Sequence, residues 1–212
     1  MSGFNLKSRL GELETVFWDK VLGVSTLGLS RGESPGGAQH GDAYWYQSKR
    51  YHLNWQFIRP LKLSTTDVFY DIGCGAGRMV CVAGLGRLAK VVGIELSHDL
   101  CELARKNVSR LRFRRTQIEI REEDAALADY SSGTVYFFCN PFGAATTQTV
   151  LDRLHESVIA QPRRIRIVYV HPHPVHRQIF EAAAWLRPVG ERHFIGGGAA
   201  TACYYEHTPS VK

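Results

Sequence analysis

The chain has 212 residues, 44% of them hydrophobic, and a formal net charge of +6. That length suits one core and one domain, no apolar run reaches the ~18–20 residues of a membrane span, and the N-terminus lacks the apolar stretch of a secretory signal. Cys74, Cys81, Cys101, Cys139 and Cys203 are scattered, odd in number and free of any C-x-x-C spacing, which favours reduced thiols in a cytoplasm over a disulfide framework or a zinc site.

In chain order, residues 1–43 are the least patterned. Leu10 to Leu22 reads as an amphipathic helix with Leu13, Val16, Phe17 and Val21 on its apolar side. Residues 23–42 carry many Gly and Ser with Pro35 and read as a long loop, a lid or a partly ordered arm. The domain proper is expected over 44–212. Tyr44, Trp45, Tyr46, Tyr51, Trp55 and Phe57 then crowd a helix that Pro60 ends. This segment is either an aromatic wall over a ligand or a helix packed on a sheet edge. Strand-like runs follow at Val68–Ile72, Val91–Glu95, Gln117–Arg121, Thr134–Cys139, Ile165–Val170, Arg192–Ile195 and Thr201–Glu206. Helical patterns lie between most of them: Ser97 caps a helix carrying Leu100, Leu103, Ala104 and Val108, and Thr147 to Val158 repeats Val150, Leu151, Leu154 and Val158. Alternating strands and helices imply an α/β fold with a doubly wound, mostly parallel sheet. The arginine clusters Arg110, Arg112, Arg114, Arg115 and Arg163, Arg164, Arg166 read as solvated loops before the third and fifth strands. The other reading is an attraction for nucleic acid, anionic membrane or an acidic protein.

The chemistry concentrates at residues 68–77, Val-Phe-Tyr-Asp-Ile-Gly-Cys-Gly-Ala-Gly. A strand runs into Asp71, then into a loop with Gly73, Gly75 and Gly77 that can lay bare backbone against a ligand. The spacing is G-x-G-x-G, and the Asp71 carboxylate faces a place where a dinucleotide pyrophosphate would be repelled. A ligand with a cationic end and a ribose fits better, and S-adenosylmethionine has both. Glu95 ends the next strand 24 residues after Asp71, about the ~20-residue distance at which a second-strand carboxylate meets ribose hydroxyls in such folds. On the substrate side, Asn140-Pro141-Phe142-Gly143 closes the fourth strand, where open α/β sheets bind ligands. Asn140 and the Pro141 carbonyl could accept from an amino nucleophile, with a plain strand-ending turn as the alternative. His171, His173 and His176 follow the fifth strand in an extended, proline-spaced loop. A metal site there is disfavoured, because no acidic residue is near. Tyr51 and His52 are unranked candidates for a base.

Together these residues resemble the class I S-adenosylmethionine-dependent methyltransferases. Val68–Gly77 is similar to that family's first motif, Glu95 to its ribose acid, and Glu123-Asp124-Ala125 to the segment that holds the adenine amino group. Asp-Ile-Gly-Cys-Gly-Ala-Gly-Arg followed by Gly-Ile-Glu-Leu-Ser also resembles the non-SET histone lysine methyltransferases and their small bacterial relatives. The resemblance implies a seven-stranded sheet with an antiparallel last strand, Thr201–Glu206. It implies S-adenosylmethionine held by Asp71, Gly73, Cys74, Gly75, Gly77, Glu95, Leu96, Asp124, Ala125 and Asn140, and no metal. Asn-Pro-Phe-Gly is similar to the Asn-Pro-Pro-aromatic motif of amino-group methyltransferases, but has Phe142 for the second proline and Gly143 for the aromatic. It makes Asn140, Pro141 and Phe142 the catalytic side. The expected acceptor is an amino nitrogen of a small molecule or protein side chain. Nucleic acid is the alternative acceptor, and a non-catalytic cofactor-binding module the alternative class.

Overall fold

The computed structural model describes residues 6–26, 42, 48–194 and 200–209, with the side chains of 6–10 left aside. Seven strands, β1 (Val68–Ile72), β2 (Lys90–Glu95), β3 (Ile118–Glu122), β4 (Val135–Phe138), β5 (Ile165–Val170), β6 (Arg187–Phe194) and β7 (Ala200–His207), form one sheet in the order β3-β2-β1-β4-β5-β7-β6. Pairing is parallel from β3 through β5, and β7 alone is reversed, antiparallel to both β5 and β6. The chain order turns back between β1 and β4, so the carboxyl ends of those strands open a crevice in which a ligand can sit.

Alternation along the strands sends side chains to two cores. Phe69, Val91, Val135, Phe137 and Val168 join the cluster that contains Tyr51 and Phe57 of α2 (Tyr51–Ile58) and Val80 and Val82 of α3 (Arg78–Gly84). Tyr70, Ile72, Val92, Tyr136 and Tyr169 face the opposite way, onto Val150, Leu151 and Leu154 of α5 (Ala144–Ala160) and Phe180 of α6 (Pro174–Ala182). Both faces are therefore covered, as a parallel sheet requires. Leu100, Cys101 and Ala104 of α4 (His98–Arg110) are buried too, beside the first core.

Three expectations change. The helix α1 (Leu6–Leu22) turns Leu13, Val16 and Phe17 to solvent, while Thr15, Asp19 and Leu22 are buried. Asp19 is stabilised inside because its carboxylate accepts from the Thr26 amide (2.7 Å), the Thr26 hydroxyl (2.7 Å) and the Tyr51 hydroxyl (2.7 Å). Hydrogen bonding thus overrides the hydrophobic pattern. Strand β6 is longer than its sequence suggests, because Pro188 and the bulge at Gly190 sit on an exposed sheet edge, where neither breaks the ladder. Ile195, which the sequence put at its end, lies outside the described residues. Finally, two of the three arginines around the start of β5, Arg163 and Arg166, are not solvated. Arg163 donates to the carbonyls of Tyr130 (2.7 Å), Gly133 (2.8 Å) and Ser157 (2.8 Å), and Arg166 pairs with Asp67. Arg164, the most exposed, bridges to Glu206 at 2.9 Å.

Arg163 ties two loop carbonyls and one in the last turn of α5 to one guanidinium, so Arg163→Ala should cost about 1.5–3 kcal/mol, the range of hydrogen bonds to a charged group. Urea unfolding measures it, and a midpoint within error of wild type would show that water replaces the guanidinium at no cost.

Candidate active site

The site begins with backbone geometry at the end of β1. Gly73, Gly75 and Gly77 all have positive φ (73°, 54° and 83°), a conformation that disfavours any side chain. At Gly73 the closeness is also steric, since a Cβ there would sit 2.5 Å from the Pro141 Cβ. The loop is held from the neighbouring strand: the amides of Gly73 and Cys74 both donate to the Ile94 carbonyl at 2.9 Å. Gly93, opposite Asp71 in the ladder, leaves room for Cys74, whose sulfur would lie 2.8 Å from an added Cβ.

Glu95 then joins the two loops. One carboxylate oxygen accepts from the Gly75 amide at 2.8 Å, the other from the amides of Leu96 and Ser97 at 2.9 Å. A carboxylate has about four acceptor positions, so this leaves capacity toward the cavity.

The cavity above the strand ends measures about 570 Å³, within the ~300–1,000 Å³ of small-molecule sites. The ends of the first three strands contribute the carboxyl groups of Asp71, Glu95, Glu123 and Asp124. Met79, Leu100 and Phe137 add apolar lining, and Lys49, Asn54, Asn140 and Thr146 add polar groups. Burial, with the Glu95 carboxylate beside it, pushes the Asp71 carboxyl up to about 8. Burial also raises the Glu123 carboxyl, and its Oε1 has no hydrogen-bond partner. Asp124 Oδ1 accepts from the Ala126 amide at 2.8 Å, which fixes the turn after β3. Asn140 is the second buried orphan. Its Oδ1 has no partner, and its backbone is left-handed (φ 52°) just before Pro141.

Of the residues singled out in the sequence, Asp71, Gly73, Cys74, Glu95, Leu96, Asp124, Ala125, Asn140, Pro141 and Phe142 line this cavity. Gly75 and Gly77 do not. Gly75 presents its amide to Glu95, and Gly77 starts α3 in contact range of Val80 and Ala104. The Phe142 ring meets Phe138 edge-on and is 6% exposed, so most of it belongs to the second core. The histidine segment does not stay extended. Pro174 starts α6, the rings of His173 and His176 meet edge-on at 5.7 Å, and buried His176 also stacks on Tyr169. None of the three lines the cavity, and no cluster of three or more metal-ligating side chains occurs among the described residues. Tyr51 and His52 also face elsewhere, toward Asp19 and Glu14. Tyr51, Trp55 and Phe57 pack in or against the first core, while Tyr44, Trp45 and Tyr46 lie outside the described residues, as does most of the expected lid.

Several lining residues carry no signal in the sequence. Asp42 accepts the Gly143 amide on its carbonyl (2.8 Å) and the Thr146 hydroxyl on its carboxylate (2.6 Å). Arg78 is 4% exposed and donates to the Thr26 hydroxyl (2.7 Å), the Thr26 carbonyl (2.8 Å) and the Lys49 carbonyl (2.8 Å). Only the Arg after the glycine loop hinted at it.

Comparison with known proteins agrees with this geometry. The sequence model of the family described as histone methylation protein DOT1 matches residues 39–117, the segment that carries the glycine loop and Glu95. The chain has the class I S-adenosylmethionine-dependent methyltransferase fold. An RNA methyltransferase from Salinibacter ruber, solved with S-adenosyl-L-homocysteine, is similar with a TM-score of 0.58 and 23% identity, over 78% of this chain and 97% of its own. TrmN from Thermus thermophilus is similar with a TM-score of 0.62 and 14% identity, over 82% of this chain and 52% of its own. A S-adenosylmethionine-dependent methyltransferase from Methanosarcina mazei gives 0.54 and 12%, over 71% and 97%. No curated protein sequence matches the chain. No helix among the described residues is long and apolar enough to cross a membrane.

In this methyltransferase fold, Asp71 has an unusual effect on stability. Its folded pKa lies above its unfolded value, so the unfolded chain releases the proton first, and Asp71 lowers stability progressively as pH rises from about 4 to about 8. Asp71→Asn removes that titration. Thermal melts across this range should show the variant's advantage over wild type widening with pH, and a constant gap would mean that Asp71 does not titrate in this window.

Proposed function

We propose that this protein moves the methyl group of S-adenosylmethionine to an amino nitrogen, and the observation that carries the acceptor side is the buried, unpartnered Oδ1 of Asn140 in the cavity. The residues present suit the cofactor. Gly73 leaves bare backbone where a side chain would collide with Pro141, Asp71 can give up its proton to face a cationic end, and Glu95 retains acceptor capacity for a ribose hydroxyl. Glu123 Oε1 has an ion pair with Arg121 at 3.9 Å but no hydrogen bond, which an amino group on the adenine would supply. The bound cofactor supplies an activated methyl group on a sulfonium. What the chain contributes is alignment and exclusion of water.

Asn140 is the aligning residue. A left-handed backbone is tolerated in Asn better than in most residues, and Pro141 fixes the chain that follows. This holds the side-chain carbonyl in place to accept an N–H of the acceptor and turn its lone pair toward the methyl group. Neither cavity thiol is suited to act as a base, since burial pushes Cys139 up to about 11 and Cys74 well above its usual range. An acceptor nitrogen that arrives uncharged, as an amide or an amino group on an aromatic ring does, needs no thiol to deprotonate it first.

Glu95→Ala should weaken S-adenosylmethionine binding by about 1.5–3 kcal/mol, read by calorimetry. Loss of the Gly75, Leu96 and Ser97 anchors adds to the effect and should lower the melting temperature as well. An unchanged dissociation constant would remove Glu95 from the cofactor site. Asn140→Ala should lower single-turnover methylation about 100-fold, the scale of losing one positioned transition-state contact, with cofactor affinity near wild type. Equal losses in both would place Asn140 in cofactor binding and undo the acceptor assignment.

A further inference from the structure

Beyond that reading, and independent of it, we infer that the loop Arg110–Arg115 docks single-stranded nucleic acid. From Leu103 to Ile118 the chain contains no acidic residue but has Arg105, Lys106, Arg110, Arg112, Arg114 and Arg115. All but Arg105 of these are exposed to solvent, and the side chains of Arg110, Arg114 and Arg115 enter no ion pair among the described residues. The positive surface widens around them. Arg112 reaches the Lys20 carbonyl at the end of α1, and Arg115 and Thr116 hydrogen-bond to the carbonyl of Gly84, next to exposed Arg87.

Within this surface stands Phe113, 68% exposed and left-handed (φ 64°). An aromatic residue rarely holds that conformation. Here the flanking backbone is pinned, the Arg112 amide to the Leu22 carbonyl at 2.8 Å and the Arg115 amide to the Gly84 carbonyl at 2.9 Å. The ring is thus presented outward between arginines by a rigid loop, although turning it inward would have buried apolar area. Guanidinium groups neutralise phosphates, and an exposed ring offers a face on which an unpaired base stacks. A duplex keeps its bases stacked internally and gains only the first interaction, so charge and aromatic together favour a single strand. A bilayer would use the charges and Phe113 as well, but a single ring inserts little apolar area. The loop lies at the far end of α4 from the cavity, about 20 Å away at 1.5 Å per residue. It would hold a strand outside the active site.

The test is anisotropy of a labelled oligouridylate titrated with the full chain between 50 and 200 mM salt. Wild type should bind. Arg110→Ala/Arg114→Ala/Arg115→Ala should weaken binding at least tenfold and lower the slope of log K against log salt by about 2. Phe113→Ala should weaken the single strand about tenfold and a duplex of equal length hardly at all, while Arg192→Ala on the opposite sheet edge changes neither. No binding by wild type, equal loss with Arg192→Ala, or capture by anionic vesicles in preference to the oligonucleotide would overturn the assignment. Calorimetry with S-adenosylhomocysteine runs in parallel. Its failure would count against the methyl-transfer reading and leave the docking result standing.

Discussion

The carboxylate of Glu95 holds the two loops of the site in one geometry. It accepts from Gly75 on one loop and from Leu96 and Ser97 on the other, so the turns after β1 and β2 cannot move apart without breaking three hydrogen bonds to a charged acceptor. Its negative charge also lies near Asp71, and that proximity adds to the burial that keeps the Asp71 proton on. The arrangement stores an electrostatic cost in the empty pocket. A cationic ligand relieves that cost, and stability is given up for readiness to bind.

A second network sets the opposite wall. Arg78, the first residue of α3, donates to the hydroxyl and the carbonyl of Thr26 and to the Lys49 carbonyl, and its guanidinium lies 5.1 Å from the centre of the Tyr51 ring. Tyr51 and Thr26 in turn satisfy Asp19. The chain thereby connects α1, the segment before α2 and the glycine-loop helix through buried, satisfied polar groups. Such a network fixes one arrangement, because each member left alone would be a buried polar group without a partner. Lys49 and Asn54 reach the cavity from this wall, so the N-terminal helix acts on the site through positioning.

The strands and the glycine loop were legible in the sequence because both follow from local rules. Strands such as Val68–Ile72 and Ile165–Val170 are apolar runs of fixed length bounded by turns, and the glycine loop must follow a strand and precede a helix to work at all. The inward face of α1 was not legible, because Asp19 is buried by partners that are distant in sequence or unremarkable, such as Thr26. Gly143 is similar in kind. The resembled motif has an aromatic at this position, but a Cβ there would lie 2.6 Å from Asp42. Asp42 approaches from 100 residues away, and no spacing rule announces it. Arg163 reads as one more surface charge until the three carbonyls it serves are brought together by the fold.

Charge is divided across the molecule in a way that bears on what can enter. The chain is basic overall, yet five carboxyl groups, Asp42, Asp71, Glu95, Glu123 and Asp124, line its cavity. A polyanion held at the arginines beyond α4 would be repelled by those that are ionised, and desolvation makes the repulsion stronger inside than outside. The lining near Asn140 differs, with amides, Lys49 and a hydroxyl and with Asp42 engaged by Thr146. Under the proposed reading, an uncharged amino nitrogen meets acceptors there without bringing a charge to be desolvated, whereas a phosphate would have only Lys49 to set against the carboxyl groups. The basic surface would then supply long-range attraction away from the cavity, and the carboxyl groups would disfavour entry of the anionic part of a substrate.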